Sequence, residues 1–157
     1  MTAPPLLLLN TATEYRDYYE NNYCRATIVT FDGFRVFFKA TTFGHAFYKN
    51  SQGKQGAKDA ICPIRCQRMG WVKHTLVNPN AQLYMGWNKA QKVLEENRRV
   101  SVVYEDFVVV IELSLNNKGE LKANFVTCYQ ADISIGAIKS SPTWDKDKCL
   151  QKLRGNE

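Results

Sequence analysis

The stretch that most restricts the fold is Phe107 to Leu115, FVVVIELSL. Its first half is apolar at both alternating positions. A strand of that kind belongs in the middle of a sheet, with both faces covered. Two further β runs flank it, Val100 to Tyr104 and Leu121 to Tyr129. Asn116-Asn117-Lys118-Gly119 is the turn between the second and third of these runs. Earlier in the chain, Arg25 to Phe31 and Phe34 to Thr41 read as two strands joined at Asp32-Gly33, the strongest kind of short hairpin signal. Phe43 to Phe47 follows directly and carries His45, and Asn50 to Gly56 is a polar loop.

Helical signals lie between these β regions. Glu14 to Tyr23 predicts a short helix. Pro63 suits the first turn of another, where its missing N–H costs nothing. The pattern then runs through Ile64, Met69, Trp71, Val72 and Leu76, with Gly70 as a point of division, and stops before Pro79. Asn88 to Glu96 is a further short helical candidate. The expected architecture is α+β, with helices packed on an antiparallel sheet. Residues 1–13 read as a weakly ordered leader, 14–135 as the folded domain and 136–157 as a peripheral tail. The 157 residues suffice for one hydrophobic core.

Several function classes find no support in the residues. The apolar run Leu6 to Leu9 is too short to span a bilayer, and the basic region of a secretory signal is missing. These features predict a soluble, cytoplasmic protein with no membrane partner. Five cysteines at irregular spacing argue against a disulfide framework and for buried free thiols. Cys62 and Cys66 have no second pair nearby with which to hold zinc. No phosphate-binding glycine loop, His-Glu-x-x-His motif, G-x-S-x-G elbow or two-metal carboxylate cluster is present. The chain therefore implies no metal and no cofactor.

The charge of +6 is unevenly distributed. Residues 41–100 hold ten basic and three acidic side chains, whereas the flanks are close to balanced. A basic middle points to a polyanion-facing surface, and a solvated face without a partner is the plain alternative. Of the two histidines, His45 follows a glycine at the end of a strand run, a common place for reactive groups. His74 sits within a helical pattern beside Lys73. Arg65 and Arg68, three apart on a helix, would present two guanidinium forks to a phosphate. Thr127 and Tyr129 alternate with Phe125 on one strand face, as site hydroxyls or as groups at the edge of the core. A basic surface with histidine and hydroxyls suits RNA cleavage by the substrate's own 2′-hydroxyl, which needs a base, an acid and positive charge.

The segment PIRCQRMGWVKHTLVNP (Pro63 to Pro79) resembles a P-x-R-x-x-R-x-x-W-[IV]-x-x-T-L-x-N-P pattern of phage-associated nuclease domains. These group with barnase, EndoU, the colicin-type tRNases and RelE-like toxins. An upstream histidine and a closing F-V-T-A-Y strand complete the pattern; here they are His45 and Phe125-Val126-Thr127-Cys128-Tyr129, with Cys128 where Ala is usual. The resemblance covers roughly residues 25–132. It implies N-terminal helices packed on a four- to five-stranded antiparallel sheet. It also implies a toxin-type ribonuclease site at which His45, Arg65, Arg68 and Thr127 converge as catalytic residues. Lys39, Lys73, His74 and Tyr129 are the expected RNA contacts. The implied partners are RNA, with tRNA one candidate, and an acidic antitoxin or immunity protein. A non-catalytic RNA-binding module and a phage-derived inhibitor domain that meets an acidic partner are the alternative readings.

Overall fold

The computed structural model describes residues 3–49, 60–88, 92–131 and 135–155. A central sheet has the order β1-β2-β8-β7-β6-β5. Its strands are β1 (Ile28–Val29), β2 (Arg35–Phe37), β5 (Gln82–Asn88), β6 (Val93–Tyr104), β7 (Phe107–Leu115) and β8 (Leu121–Gln130). A small pair, β3 (Tyr48–Lys49) and β4 (Ala60–Ile61), stands apart from it. The α+β class holds. The sheet differs from the expected one in having six strands and in being mixed, because β2 runs parallel to β8 while the other pairs are antiparallel. A hairpin from the start of the chain has docked beside its last long strand, and no local turn geometry encodes that choice.

β7 occupies the interior position that its sequence demands. Phe107, Val109, Ile111 and Leu113 enter the main core on one face. Val108 and Val110 join a second cluster with Tyr84, Val103, Tyr129 and Ala131 on the other face, under Ile135 and Ile138 of α5 (Ile135–Lys139). The β1–β2 hairpin forms at Asp32-Gly33, where Gly33 takes φ 96°. Gly119 turns the chain between β7 and β8 with φ 76°.

The helices other than α5 pack on the main-core face. The first, α1 (Ala12–Tyr19), starts at Thr11, whose hydroxyl accepts from the Glu14 N–H. It continues as a wider π-helical turn over Glu20–Cys24. Tyr15, Tyr19 and Tyr23 are all buried along this stretch. The next helix, α2 (Phe43–Ala46), is a single turn. Then α3 (Pro63–Gln67) begins on Pro63 as expected, and α4 (Met69–Val77) ends ahead of Pro79. The break between them falls at Arg68 (φ −100°, ψ 18°), not at Gly70. The Tyr23 hydroxyl donates to the Met69 carbonyl at 2.5 Å and accepts from the Lys73 N–H at 3.2 Å, so it sits inside the α4 ladder.

Three further expectations differ from the structure. The helix expected over Asn88 to Glu96 is instead the end of β5 and the start of β6, and residues 89–91 lie outside the described residues. Sheet pairing overrides a weak helical pattern there. The polar C-terminal stretch is not peripheral. Trp144 (6 % exposed) and Cys149 (0 %) belong to the main core, the latter on α6 (Lys146–Leu153). The N-terminal stretch is also tied down, since the Trp71 indole donates to the Pro4 carbonyl at 2.7 Å and Leu7 and Leu9 pack on the core. The polar loop expected over Asn50 to Gly56 lies outside the described residues. No helix among the described residues is long and apolar enough to cross a membrane.

Candidate functional site

An aromatic cluster builds the support for the site. Tyr19 is fully buried, with ring centroids of Phe38, Phe43, Phe47 and Phe125 between 5.6 and 6.5 Å away. Phe43 and Phe47 are one turn apart, and both face inward from α2. The same turn therefore leaves Gly44 and His45 on its exposed side. The carbonyls at its end are capped: Arg65 Nη1 donates to Ala46 O at 3.1 Å and the Cys62 N–H to Phe47 O at 2.7 Å. The Tyr19 hydroxyl donates to the Lys39 carbonyl at 2.7 Å, which ties the segment before α2 to the core. Burial pushes the Tyr19 hydroxyl far above its ordinary range, so it remains a neutral donor.

The second half of the site is a row of residues across four strands. Phe37 pairs with Asn124, Asn124 with Glu112, and Glu112 with Arg99. Their strand neighbours Val36, Ala123, Ile111 and Val100 point into the main core. Strand alternation thus places the row on the opposite, open face. Directly opposed side chains in a sheet have Cβ atoms about 5 Å apart, so an amide, a carboxylate and a guanidinium stand side by side. The Arg99 Nε is buried and has no hydrogen-bond partner among the described residues. Beside Arg99 the β5–β6 register shifts between Met85 and Gly86. A Cβ on Gly86 would lie 2.5 Å from the Arg99 carbonyl oxygen, so only glycine permits this approach.

The two halves meet in an open cleft of 410 Å³ lined by Lys39, Thr41, Thr42 and His45 on one side and by Arg99, Glu112, Asn124, Phe125 and Val126 on the other. It combines an imidazole, a carboxylate, an amide, two cations and two hydroxyls. Of the residues singled out from the sequence, His45 and Lys39 line it. Arg65 stands behind it as the brace of α2.

The others are placed elsewhere. Arg68 is the junction between α3 and α4, so the helical spacing from Arg65 is broken. Its guanidinium lies 5.0 Å from the Trp71 ring centroid and donates to Ile64 O at 3.1 Å. Lys73 is exposed on α4. His74 packs edge-on to Tyr104, with centroids 5.2 Å apart. Burial lowers its pKa, against an opposing pull from Glu105.

Thr127 and Tyr129 do not share a face with Phe125. The β7–β8 register jumps from Ile111–Phe125 to Val110–Thr127, which leaves Val126 as an extra residue. This bulge reverses the alternation. Cys128 then faces the main core, while Tyr129 joins the cluster on the other face. Burial raises the Tyr129 pKa, and Arg65 opposes that shift.

Arg99, Glu112 and Asn124 were not recognised from the sequence. Glu112 carried one signal, as the only charged residue in FVVVIELSL. Asn124 is the polar position between Ala123 and Phe125, and Arg99 stands just outside the β run Val100 to Tyr104.

All five cysteines are free thiols. Among the described residues, no group of three His, Cys, Asp or Glu side chains is arranged to hold a metal. No family model matches the chain, and no curated protein or solved structure is detectably similar to it.

Proposed function

We propose that the protein is a metal-independent endoribonuclease that cuts RNA through attack of the 2′-hydroxyl on the adjacent phosphorus. The observation that carries this reading is the convergence of His45 and Glu112 with Lys39 and Arg99 in one cleft. Glu112 accepts the 2′-hydroxyl proton as the O2′–P bond forms. The P–O5′ bond breaks, and a protonated His45 gives its proton to the departing 5′ oxygen. The products are a 2′,3′-cyclic phosphate and a 5′-hydroxyl, with one proton taken up and one released by the protein. Lys39 and Arg99 face the charge that grows on the non-bridging oxygens, where fixed donors act most strongly. The Asn124 amide can hydrogen-bond the same phosphate or the ribose.

The cleft is open along the sheet, which suits a polymer. An acidic inhibitor of the antitoxin or immunity type would find its complement in the same cations. Arg65 acts through the backbone of α2 and not on the phosphate.

The test is incubation of the purified protein with total tRNA and with an unstructured RNA in excess EDTA, beside His45→Ala. We expect cleavage to cyclic-phosphate ends by the wild type, with a loss of about a hundredfold or more in the variant. Intact RNA with the folded wild type, or equal cleavage by His45→Ala, overturns the reading.

A further inference from the structure

On the open face of the sheet, next to the cleft, an aromatic ring lies beside two cations. Phe37 is half-buried and belongs to neither hydrophobic cluster. Its backbone partner Asn124 lines the cleft. The Arg35 guanidinium lies 4.3 Å from its ring centroid and the Lys122 ammonium 5.5 Å. Arg35 and Lys122 are themselves register partners on β2 and β8. A large apolar side chain outside any core forgoes the stabilisation that burial normally gives. Here two cations and an open strand face surround it instead.

We infer that Phe37, Arg35 and Lys122 form a second nucleotide subsite, a stacking platform for one base of a single strand whose neighbouring phosphate lies in the His45–Glu112 cleft. The inference rests on the ribonuclease reading for the identity of the strand as RNA, and on its own residues for the platform. The ring offers a π-face, which every base can use regardless of sequence. The two cations now over the ring are within reach of the phosphates on either side of a stacked base. Lys39, which lines the cleft, follows two residues after the end of β2, so the platform and the cleft adjoin along the chain. Beyond Arg35 the basic path continues to Lys146 and Arg154 in an adjoining cleft at the end of the sheet. Those two are partly engaged, Lys146 with the Asp32 carbonyl at 2.7 Å and Arg154 with that of Gly119 at 2.8 Å. A protein partner would not need an aromatic ring flanked by cations at this spacing, whereas a nucleic-acid strand alternates flat base and anionic phosphate in the same way.

The experiment is fluorescence anisotropy of the full chain with a short, single-stranded, all-deoxy oligonucleotide. Such a strand has no 2′-hydroxyl and so reports binding without cleavage. Phe37→Ala should weaken binding about tenfold, and Phe37→Trp should retain it. Arg35→Ala and Lys122→Ala should each weaken binding and flatten its salt dependence, as expected when a phosphate contact is lost. Because Phe37 lies outside both clusters, the Phe37→Ala melting curve should stay close to wild type, which separates lost stacking from lost folding. Unchanged affinity in Phe37→Ala, while the wild type cuts RNA, overturns the platform and leaves the ribonuclease reading standing. Phe37-dependent binding with no RNA cleavage by the wild type supports the platform and sinks the ribonuclease reading. No measurable binding of the single strand by the wild type overturns the platform.

Discussion

The two halves of β7 differ on the open side of the sheet. Near its start, Val108 and Val110 lie beneath α5 in a small apolar cluster. Near its end, Glu112 and Ser114 occupy the same face, and Glu112 borders the cleft. The opposite face is apolar throughout, from Phe107 to Leu113. A single strand thus supplies a continuous wall to the core and, on its other side, passes from structural contact to a polar site. The covered half should carry stability with little effect on chemistry, and the open half the reverse.

The largest effect should come from the open half. Glu112→Gln keeps the size of the side chain but removes the proposed base, and we expect a loss of about a hundredfold or more in RNA cleavage. Its melting temperature should move little, since Gln keeps the shape and hydrogen-bonding oxygen of a half-exposed side chain, and such changes usually shift stability by under about 0.5 kcal/mol. Cleavage assays and thermal melts on one preparation check both halves of this statement, and a large stability loss would break the contrast.

The mirror experiment is Val108→Ala. It removes fully buried apolar volume and should cost about 2 kcal/mol in denaturant unfolding, while cleavage per folded molecule stays near wild type. Lost activity at full folding would show that the α5 cluster and the cleft are not separable.

Gly86→Ala tests the link between the backbone and the site. A methyl group there meets the Arg99 carbonyl at 2.5 Å, so Arg99 must shift. We expect roughly a tenfold fall in cleavage, because a misplaced charge-stabilising group loses much of its effect. Addition of the same methyl at Gly44, which has open space around it, should do far less.

The smallest effect concerns His74. Its folded-state pKa lies below the ordinary histidine value because burial disfavours the cation. The unfolded chain therefore binds its proton more readily, and stability should fall as pH drops below about 6.5. His74→Gln should remove that part of the pH dependence in urea unfolding curves. An unchanged slope would mean that other groups set it.

Much of the secondary structure was legible because its signals are local. Asp32-Gly33, Pro63, Pro79 and the run Phe107 to Leu115 each restrict the backbone through turn chemistry or apolar pattern. The Asn88 to Glu96 region misled because its pattern is weak and sheet pairing decided its conformation. His45 and Lys39 were legible as candidates by residue type and by their place near the end of a strand. Their partners were not, because Arg99 and Glu112 become neighbours only through the β6–β7 register. Thr127 does not line the His45 cleft for a related reason. A one-residue bulge at Val126 reverses which side chains face the core, and period-two reasoning has no means of locating it.

The sequence by itself determined that the chain forms an α+β fold with β7 inside its sheet, and that basic charge gathers in its middle. Apolar patterning, turn residues and charge count are properties of neighbouring residues and need no tertiary information. Tertiary structure alone decided the parallel docking of β2 on β8, the burial of Trp144 and Cys149, and the row from Phe37 to Arg99. Those depend on contacts between residues far apart in the chain, where burial and register, not local preference, set the free energy.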